Sequence, residues 1–361
     1  MNILVIGNGF DLAHGLPTAY ADFIRFGNCF VEKQEKNLKC ISFGDAKDVL
    51  KENVKEYIFV KSKDILKKEI WNEFEDGFIK NYWVKEFRYD LEPVKWVDFE
   101  AKISKKIKEM ELSEKKKSSE HFAHNINVLQ ESLNKLIRCL EIYLSEIVEK
   151  LDVVEKIYYF STLKVDKVLS FNYTNSYERI YNEKQEYQKI QVEYNFIHGS
   201  INKSKSIDES TLPNNMVLGI EEYLLDGEKD KNLEFIEFKK YYQRIFKMTG
   251  CLYKEWLQEI DEQDIQEGYN VLNEAHIFGH SLNVADGDIL KELISQKNLN
   301  LKIYYKDNID YKKYILNLIT MIGQDRLISC VYGEDPKIKF LQAPRPIKFN
   351  KNISSKEVIS G

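Results

Sequence analysis

The sequence contains little glycine and proline, with 16 and 6 of these residues among 361. This scarcity argues against a collagen-like chain and against a turn-rich all-β fold. Its five cysteines are widely spaced and form no CxxC pair, which argues against a zinc ribbon or a disulfide framework. We therefore predict no metal site, and we expect a reducing, cytoplasmic location.

Long apolar runs and an excess of positive charge are also missing. No run of about eighteen apolar residues occurs, so we predict no membrane-spanning helix. The opening segment MNILVIGNGFD has no basic stretch before its apolar residues, and we expect no signal peptide. With 53 basic and 58 acidic residues, the net charge of −5 gives no broad basic field for duplex nucleic acid.

Short apolar runs alternate with segments of helical periodicity over much of the chain. The runs predict strands at residues 2–6, 167–171, 191–198, 276–278, 301–305 and 338–341. Helices are predicted at residues 175–181, 233–260, 286–295 and 311–322, and a further helix is predicted to start with Thr18 as its N-cap. This alternation predicts an α/β fold with a doubly wound, mostly parallel sheet of the Rossmann type.

One part of the chain departs from this alternation. From residue 46 to about residue 151, glycine almost vanishes and apolar residues recur every three or four positions, which is typical of long helices. We predict a helical insertion at residues 46–159, within a discontinuous Rossmann-like domain formed by residues 1–45 and 160–345. Residues 346–361 are predicted to form a loosely packed C-terminal tail. His121 and His124 are interpreted as part of a helix surface.

Polar or small residues follow four of the predicted strands. These strand ends are Gly7–Asp11, Asn172–Asn175, His198–Ser200 and Gly279–Leu282, with Asp286 shortly after the last. Ligands of open α/β sheets bind beyond the carboxyl ends of the strands. We therefore expect these four segments to meet along one edge of the sheet.

Each segment taken alone allows two interpretations. Gly7 and Gly9 can bring the backbone close to a phosphate, but Leu12 stands where G-x-G-x-x-G requires glycine, and a tight turn fits equally well. Asn172 can hold a water or a ribose hydroxyl, or it can cap a turn. His198 can act as a general base near neutral pH, or it can be a packed structural histidine. His280 and Ser281 can approach a ligand, or form a turn with Asp286 as the next N-cap.

Four segments together resemble the bacteriophage abortive infection AbiH family: IGNGFDLAHGLPTAYADF, SFNYTNSYE, FIHGS and HIFGHSLNVADGDIL. The resemblance extends in the same order along nearly the whole chain and implies a role in antiphage defence. The AbiH pattern is in turn similar to a divergent SIR2-like domain. That similarity implies a sheet of the SIR2-like type and binding of NAD or a related nucleotide.

The resemblance assigns roles to individual residues. It implies a cofactor-binding loop made of Gly7, Asn8, Gly9, Phe10 and Asp11, whose first three residues would contact the phosphates. It implies catalysis by Asn172 and His198. It implies further cofactor contacts from Gly279, His280, Ser281 and Asp286.

The sequence also departs from the SIR2-like pattern. Asn8 replaces an alanine, Asp11 replaces a small residue, and Thr174 stands where an aspartate is usual. The zinc-binding cysteines of the sirtuin deacetylases are absent, which argues against protein deacetylation. Dinucleotide binding is still implied.

From these observations we predict an antiphage effector that binds NAD or a related nucleotide and hydrolyses its nicotinamide–ribose bond. One alternative is a toxin that cleaves RNA, with Asp11, His14 and Glu100 forming an acidic and basic cluster. Another is a nucleotide-sensing or partner-binding module without catalysis. A phage-derived trigger or partner protein and a homo-oligomer are compatible with each hypothesis, and no membrane contact is expected.

Overall fold

A computed structural model describes most of the chain. The described residues are 1–35, 68–87, 96–114, 119–153, 155–181, 191–201, 215–220, 233–267 and 272–348. The first part of the predicted helical insertion, residues 46–67, lies outside them, as do residues 349–361 of the predicted tail.

Six parallel strands form the central sheet. Its strands are β1 (Asn2–Ile6), β3 (Lys167–Ser170), β4 (Glu193–Phe196), β5 (Glu274–Phe278), β6 (Asn300–Tyr305) and β7 (Ile338–Gln342). They lie in the order β4-β3-β1-β5-β6-β7, and every adjacent pair is parallel. The predictions of an α/β fold and of a parallel sheet are confirmed.

Helices connect and cover these strands. The described α-helices include Asn8–Ala13, Tyr20–Glu35, Lys68–Ile79, Tyr82–Phe87, Trp96–Glu114, Ser119–Glu146, Tyr158–Thr162, Lys240–Phe246, Leu252–Glu267, Gly287–Ser295, Asn308–Ile322 and Gln324–Val331. A further helix covers residues 176–181. Within the described ranges, no helix has the length and hydropathy needed to cross a membrane.

The alternating faces of β1 explain why this segment forms a central strand. Ile3 and Val5 pack into one buried apolar cluster, and Leu4 and Ile6 pack into another on the opposite face. Successive side chains of a strand point to opposite faces, so a strand buried on both sides must be apolar throughout. Because β1 pairs with both β3 and β5, its carboxyl end lies near the middle of the sheet edge.

The helices between β1 and β3 build a third apolar cluster. The rings of Phe23, Phe74 and Phe78 meet within it, with Phe74 and Phe78 stacked at 5.4 Å between centroids. The hydroxyl of Tyr143 donates a 2.8 Å hydrogen bond to the carbonyl of Pro17. This bond joins the helix Ser119–Glu146 to the segment that follows β1, so the helical layer is anchored next to the sheet edge.

The prediction of one helix over residues 233–260 is wrong. The chain forms a 3₁₀ helix at Leu233–Phe238 and two α-helices, Lys240–Phe246 and Leu252–Glu267. Met248 and Gly250 adopt φ values of 51° and 84° in the intervening turn. Positive φ cannot be accommodated within a right-handed helix, so the helix ends before Met248.

Two local contacts lie in segments for which smaller predictions were made. The helix Tyr20–Glu35 begins two residues after Thr18, whose hydroxyl accepts a hydrogen bond from the Asn8 amide, and the carboxylate of Asp22 accepts one from the Ala19 N–H. The start of the predicted loose tail is ordered by pairing. Strand β8 (Ile347–Lys348) pairs in antiparallel fashion with β2 (Glu155–Lys156).

Candidate functional site

The loops after β1 and β5 lie in direct backbone contact. The N–H groups of Gly7 and Gly9 donate to the carbonyls of Phe278 and Gly279, at 3.3 and 2.8 Å. A Cβ at Gly9 would lie 2.8 Å from the Cα of Gly279, and a Cβ at Gly279, where φ is +69°, would lie 2.1 Å from the Phe10 nitrogen. Glycine is required here because two backbones touch, and both donors are used inside the protein.

The other residues of the first loop have different surroundings. The Asn8 amide donates to the carbonyl and the hydroxyl of Thr18, at 2.8 and 3.0 Å. The Phe10 ring is fully buried and lies 4.3 Å from the His14 ring and 6.0 Å from the Phe278 ring. The Phe10 side chain therefore belongs to the apolar core, whereas Asn8 holds the start of the short helix against Thr18.

Asp11 is a buried carboxylate, only 1% exposed, with three side-chain donors around it. The hydroxyls of Thr174 and Ser176 and the amide of Asn172 donate to it. Burial raises the pKa of Asp11 to about 6, although the hydrogen bonds from Ser176 and Thr174 act in the opposite direction. Asp11 and Thr174, which each depart from the SIR2-like pattern, are thus hydrogen-bonded to each other.

Asn172 lies just after β3 and connects the first loop to the middle of the sheet. Its Nδ2 donates to the carbonyl of Gly7 at 3.0 Å and to Oδ1 of Asp11 at 3.1 Å. These bonds use both hydrogens of the amide, so Oδ1 is the side-chain atom with which Asn172 can accept a hydrogen bond from a ligand.

His198 lies just beyond β4 and is 6% exposed. Its Nε2 is 3.0 Å from Oδ1 of Asp286. Its Nδ1 is buried and has no hydrogen-bond partner among the described residues. Burial lowers the pKa of His198, which favours the neutral imidazole.

Asp286 is surrounded by three donor groups. Besides Nε2 of His198, the Lys240 ammonium lies 3.1 Å from Oδ1, and Nε2 of His280 lies 3.4 Å from Oδ2. Burial alone would raise the pKa of Asp286, but Lys240 and His198 hold it well below its ordinary value. Although Asp286 occupies the N-cap position of the helix Gly287–Ser295, its side chain makes no capping hydrogen bond. The N-cap interpretation of this side chain is therefore wrong.

The proton positions on His198 follow from this arrangement. An ionised carboxylate can only accept hydrogen bonds, so the proton of the neutral His198 imidazole lies on Nε2, next to Asp286. Nδ1 then carries a lone pair and no proton. A buried imidazole of this kind, oriented by a carboxylate, can accept a proton from a bound water or hydroxyl.

The four predicted strand ends come together through a chain of contacts. Asn172 bonds to Gly7, and a Cβ at Gly7 would lie 2.7 Å from the Cα of His280. His280 contacts Asp286, which in turn bonds to His198. The Phe171 ring packs near both imidazoles, with its centroid 4.2 Å from that of His280 and 5.6 Å from that of His198.

Ser281 joins this edge through its main chain. Its carbonyl accepts a hydrogen bond from the Asn317 amide at 3.1 Å. The next residue, Leu282, has a φ of 52°, and its N–H donates to Nδ1 of His280. Since an Nδ1 that accepts this bond carries no proton, the His280 proton lies on Nε2, facing Asp286.

Sequence reasoning missed Lys240. It lies at the start of the helix Lys240–Phe246, is 3% exposed, and its ammonium also lies 3.0 Å from Oε2 of Glu100. No local signal marks it, because a lysine in a helical segment usually faces solvent. Glu100 belongs to the helix Trp96–Glu114, so the helical layer contributes a charged group to this site.

The side chains of the alternative cluster have separate partners. Nδ1 and Nε2 of His14 lie 2.7 Å from the Phe10 carbonyl and 2.8 Å from the Tyr181 hydroxyl, and burial lowers the pKa of His14 to about 4. Asp11 bonds to Asn172, Thr174 and Ser176, whereas Glu100 contacts Lys240. Among the described residues, no group of three or more histidine, cysteine, aspartate or glutamate side chains can hold a metal ion. His124 is exposed, as predicted.

A model of the family described as Bacteriophage abortive infection AbiH matches residues 3–306. This range contains all four strand ends, together with Glu100, Lys240 and Asp286. A search of the curated proteins finds no match.

Proposed function

The chain belongs to the bacteriophage abortive infection AbiH family, whose role is antiphage defence, and from this premise we propose that it hydrolyses NAD or a related nucleotide. The bond broken would be the one between nicotinamide and ribose. Loss of NAD would stop the metabolism of the infected cell.

The hydrogen bonding and protonation of His198 are the main support for this proposal. Its Nε2 proton is held by Asp286, and its buried Nδ1 has no hydrogen-bond partner among the described residues. A neutral imidazole with its proton on one nitrogen and a lone pair on the other is suited to act as a general base. Such a base assists hydrolysis, because the attacking water loses a proton as it bonds to carbon.

The chemistry needs few other groups. The oxygen of water bonds to the anomeric carbon of the ribose as the bond from that carbon to the nicotinamide nitrogen breaks. The electron pair of the broken bond neutralises the pyridinium, so nicotinamide leaves as a neutral molecule without a general acid. The water proton passes to Nδ1 of His198. The transition state resembles an oxocarbenium ion, as in glycoside hydrolysis.

The order of the strands supports a nucleotide at this edge. Counted along the chain, the six strands of the sheet lie in the order 3-2-1-4-5-6, which is the order of doubly wound dinucleotide-binding sheets. In such sheets the ligand lies beyond the carboxyl ends, where the order reverses, here between β1 and β5. The loops of Gly7 and Gly279 meet at that point. These features favour the Rossmann and SIR2-like interpretation.

The role of the first loop in nucleotide binding would differ from the predicted one, in which Gly7, Asn8 and Gly9 contact the phosphates. The N–H groups of Gly7 and Gly9 donate to the carbonyls of Phe278 and Gly279, so we infer that these glycines hold the two loops together. Asn8 and Ser281 remain candidates for phosphate or ribose contacts. Oδ1 of Asn172 is the candidate acceptor for a ribose hydroxyl or for the attacking water.

The test is incubation of the purified protein with NAD and, separately, with RNA. We expect release of nicotinamide from NAD and no cleavage of RNA. We expect Asn172→Ala to release nicotinamide more slowly, while His124→Ala, which changes an exposed histidine, matches the unaltered protein. Cleavage of RNA with intact NAD would contradict the proposal and favour the toxin hypothesis.

A further inference from the structure

Lys240 is a buried cation between two carboxylates. Its ammonium lies 3.1 Å from Oδ1 of Asp286 and 3.0 Å from Oε2 of Glu100. Burial acts to lower the pKa of Lys240, but Asp286 and Glu100 together raise it, so the side chain is charged. A buried ammonium is retained only when it is paired, and both of these carboxylates pair with it.

The three elements that meet here come from distant parts of the chain. Glu100 lies on the helix Trp96–Glu114, Lys240 on the helix Lys240–Phe246, and Asp286 immediately before the helix Gly287–Ser295. The ammonium therefore joins the helical layer to the edge of the sheet. The ammonium contacts Oδ1 of Asp286, the same oxygen that accepts the hydrogen bond from Nε2 of His198.

Sharing this oxygen links Lys240 to the chemistry of His198. A cation beside Asp286 stabilises the ionised carboxylate, which can then only accept a proton from Nε2 of His198. The same cation opposes a second positive charge on the imidazole. After burial, Lys240 is the largest influence that lowers the pKa of His198, whereas Asp286 raises it.

We propose that Lys240, held by Glu100, is a positioning residue that acts through Asp286 to keep His198 neutral, with its proton on Nε2 and none on Nδ1. This inference rests on the proposed function only for the effect of Lys240 on catalysis. The protonation of His198 is a property of the protein without nucleotide and can be measured by itself. Lys240 itself is not assigned a contact with the substrate.

Other titratable groups lie around the cluster of His198, Asp286 and Lys240, and a test must leave their side chains unchanged. Arg244 acts on His198 itself, His280 on Asp286 and Tyr173 on Lys240, while Asp288 pairs with Arg244 at 3.1 Å. A useful variant should therefore remove the ammonium without changing the net charge of the buried cluster.

The double variant Lys240→Met/Glu100→Gln meets this requirement, because one positive and one negative charge are lost together. The matched control is Lys254→Met/Glu292→Gln, which makes the same change at an exposed ion pair of 2.7 Å. Thermal unfolding of both proteins establishes that each is folded. Asp286 and His198 are unchanged in both.

The readout is the pH titration and tautomer of His198, followed by NMR of protein with ¹⁵N-labelled histidine. Its signals are identified by their loss in His198→Gln. We expect the pKa of His198 in the double variant to rise toward its ordinary range, so that Nδ1 carries a proton at pH values at which it carries none in the unaltered protein. In the control, both should match the unaltered protein.

A double variant in which His198 titrates as it does in the control would overturn the proposal. The rate of nicotinamide release provides a second readout, and we expect a loss of about 100-fold or more in the double variant, the scale of a misplaced general base. If the unaltered protein releases no nicotinamide, the proposed function fails. The NMR titration still decides the role of Lys240 in that case.

Discussion

Nε2 of His198 lies 3.0 Å from Oδ1 of Asp286, although 88 positions separate the two residues in the chain. His198 follows β4 at the edge of the sheet, and Asp286 belongs to the segment after β5. Two strands, β3 and β1, stand between them. The pair therefore forms only when the loops after several parallel strands converge at their carboxyl ends, and disturbing either residue should affect both the fold and the site.

Replacing Asp286 by asparagine should cost both stability and activity. The neutral amide leaves the buried Lys240 with Glu100 as its remaining charged partner, and breaking a buried ion pair costs about 3–5 kcal/mol. The amide can also donate, so it no longer fixes the proton of His198 on Nε2. Urea unfolding measures the first effect, and nicotinamide release measures the second.

The control for this variant is Asp335→Asn, which changes an exposed aspartate. We expect its stability to stay within about 0.5 kcal/mol of the unaltered protein, as for most surface substitutions. Equal stability of the two variants would show that the Asp286 carboxylate does not hold this cluster together.

The contact between the first and fifth strand ends predicts a difference between two glycines. Gly279→Ala introduces a Cβ that would lie 2.1 Å from the Phe10 nitrogen, in addition to the strain of a positive φ. Gly250→Ala has a similar φ of +84°, but its Cβ would have no neighbour within 4 Å. The second variant isolates the strain of φ, which is about 1–2 kcal/mol.

We therefore expect Gly279→Ala to be the more destabilised of the two, by several kcal/mol. Thermal or urea unfolding of both variants provides the comparison. A Gly279→Ala protein as stable as Gly250→Ala would mean that the loops after β1 and β5 are not in contact.

The buried Asp11 predicts a pH dependence of stability. Burial raises its pKa from 3.8 to about 6 in the folded protein. Between these values the folded state binds more protons than the unfolded state, so stability falls as the pH rises. The contribution is fully present below pH 3.8 and is lost by about pH 6, and its size is about 3 kcal/mol.

Comparison with Asp11→Asn isolates this contribution, because asparagine does not titrate. The free energy of unfolding of the unaltered protein, minus that of the variant, should decrease between pH 4 and pH 7, on the order of 3 kcal/mol. Urea unfolding at both pH values measures it. A difference that is constant or increases with pH would contradict the assignment.

Local patterns were sufficient to predict the sheet and its edge. A strand such as Asn2–Ile6 is apolar at every position because both of its faces are buried, and this pattern is visible in a short segment. The strand ends could be predicted to meet, since parallel strands place their carboxyl ends on one edge. The structure brings Gly7, Asn172, His198 and His280 together in this way.

What the sequence did not reveal depends on distant contacts. Lys240 is buried only because Glu100 and Asp286 arrive from two other helices, so its local pattern resembles a surface helix. The break at Met248 and Gly250 was hidden by good helix formers on both sides. The use of the Gly7 and Gly9 N–H groups on β5 could not be distinguished from phosphate binding without the position of the fifth strand.

In the proposed hydrolysis, Nδ1 of His198 is the base that removes a proton from water. The most direct test of this role is the rate of nicotinamide release from NAD by His198→Ala, compared with His124→Ala and with the unaltered protein. A general base contributes about 10²–10⁴-fold, and we predict a loss of that size in His198→Ala alone, with the variant still folded. Equal rates in all three proteins would show that His198 is not this base.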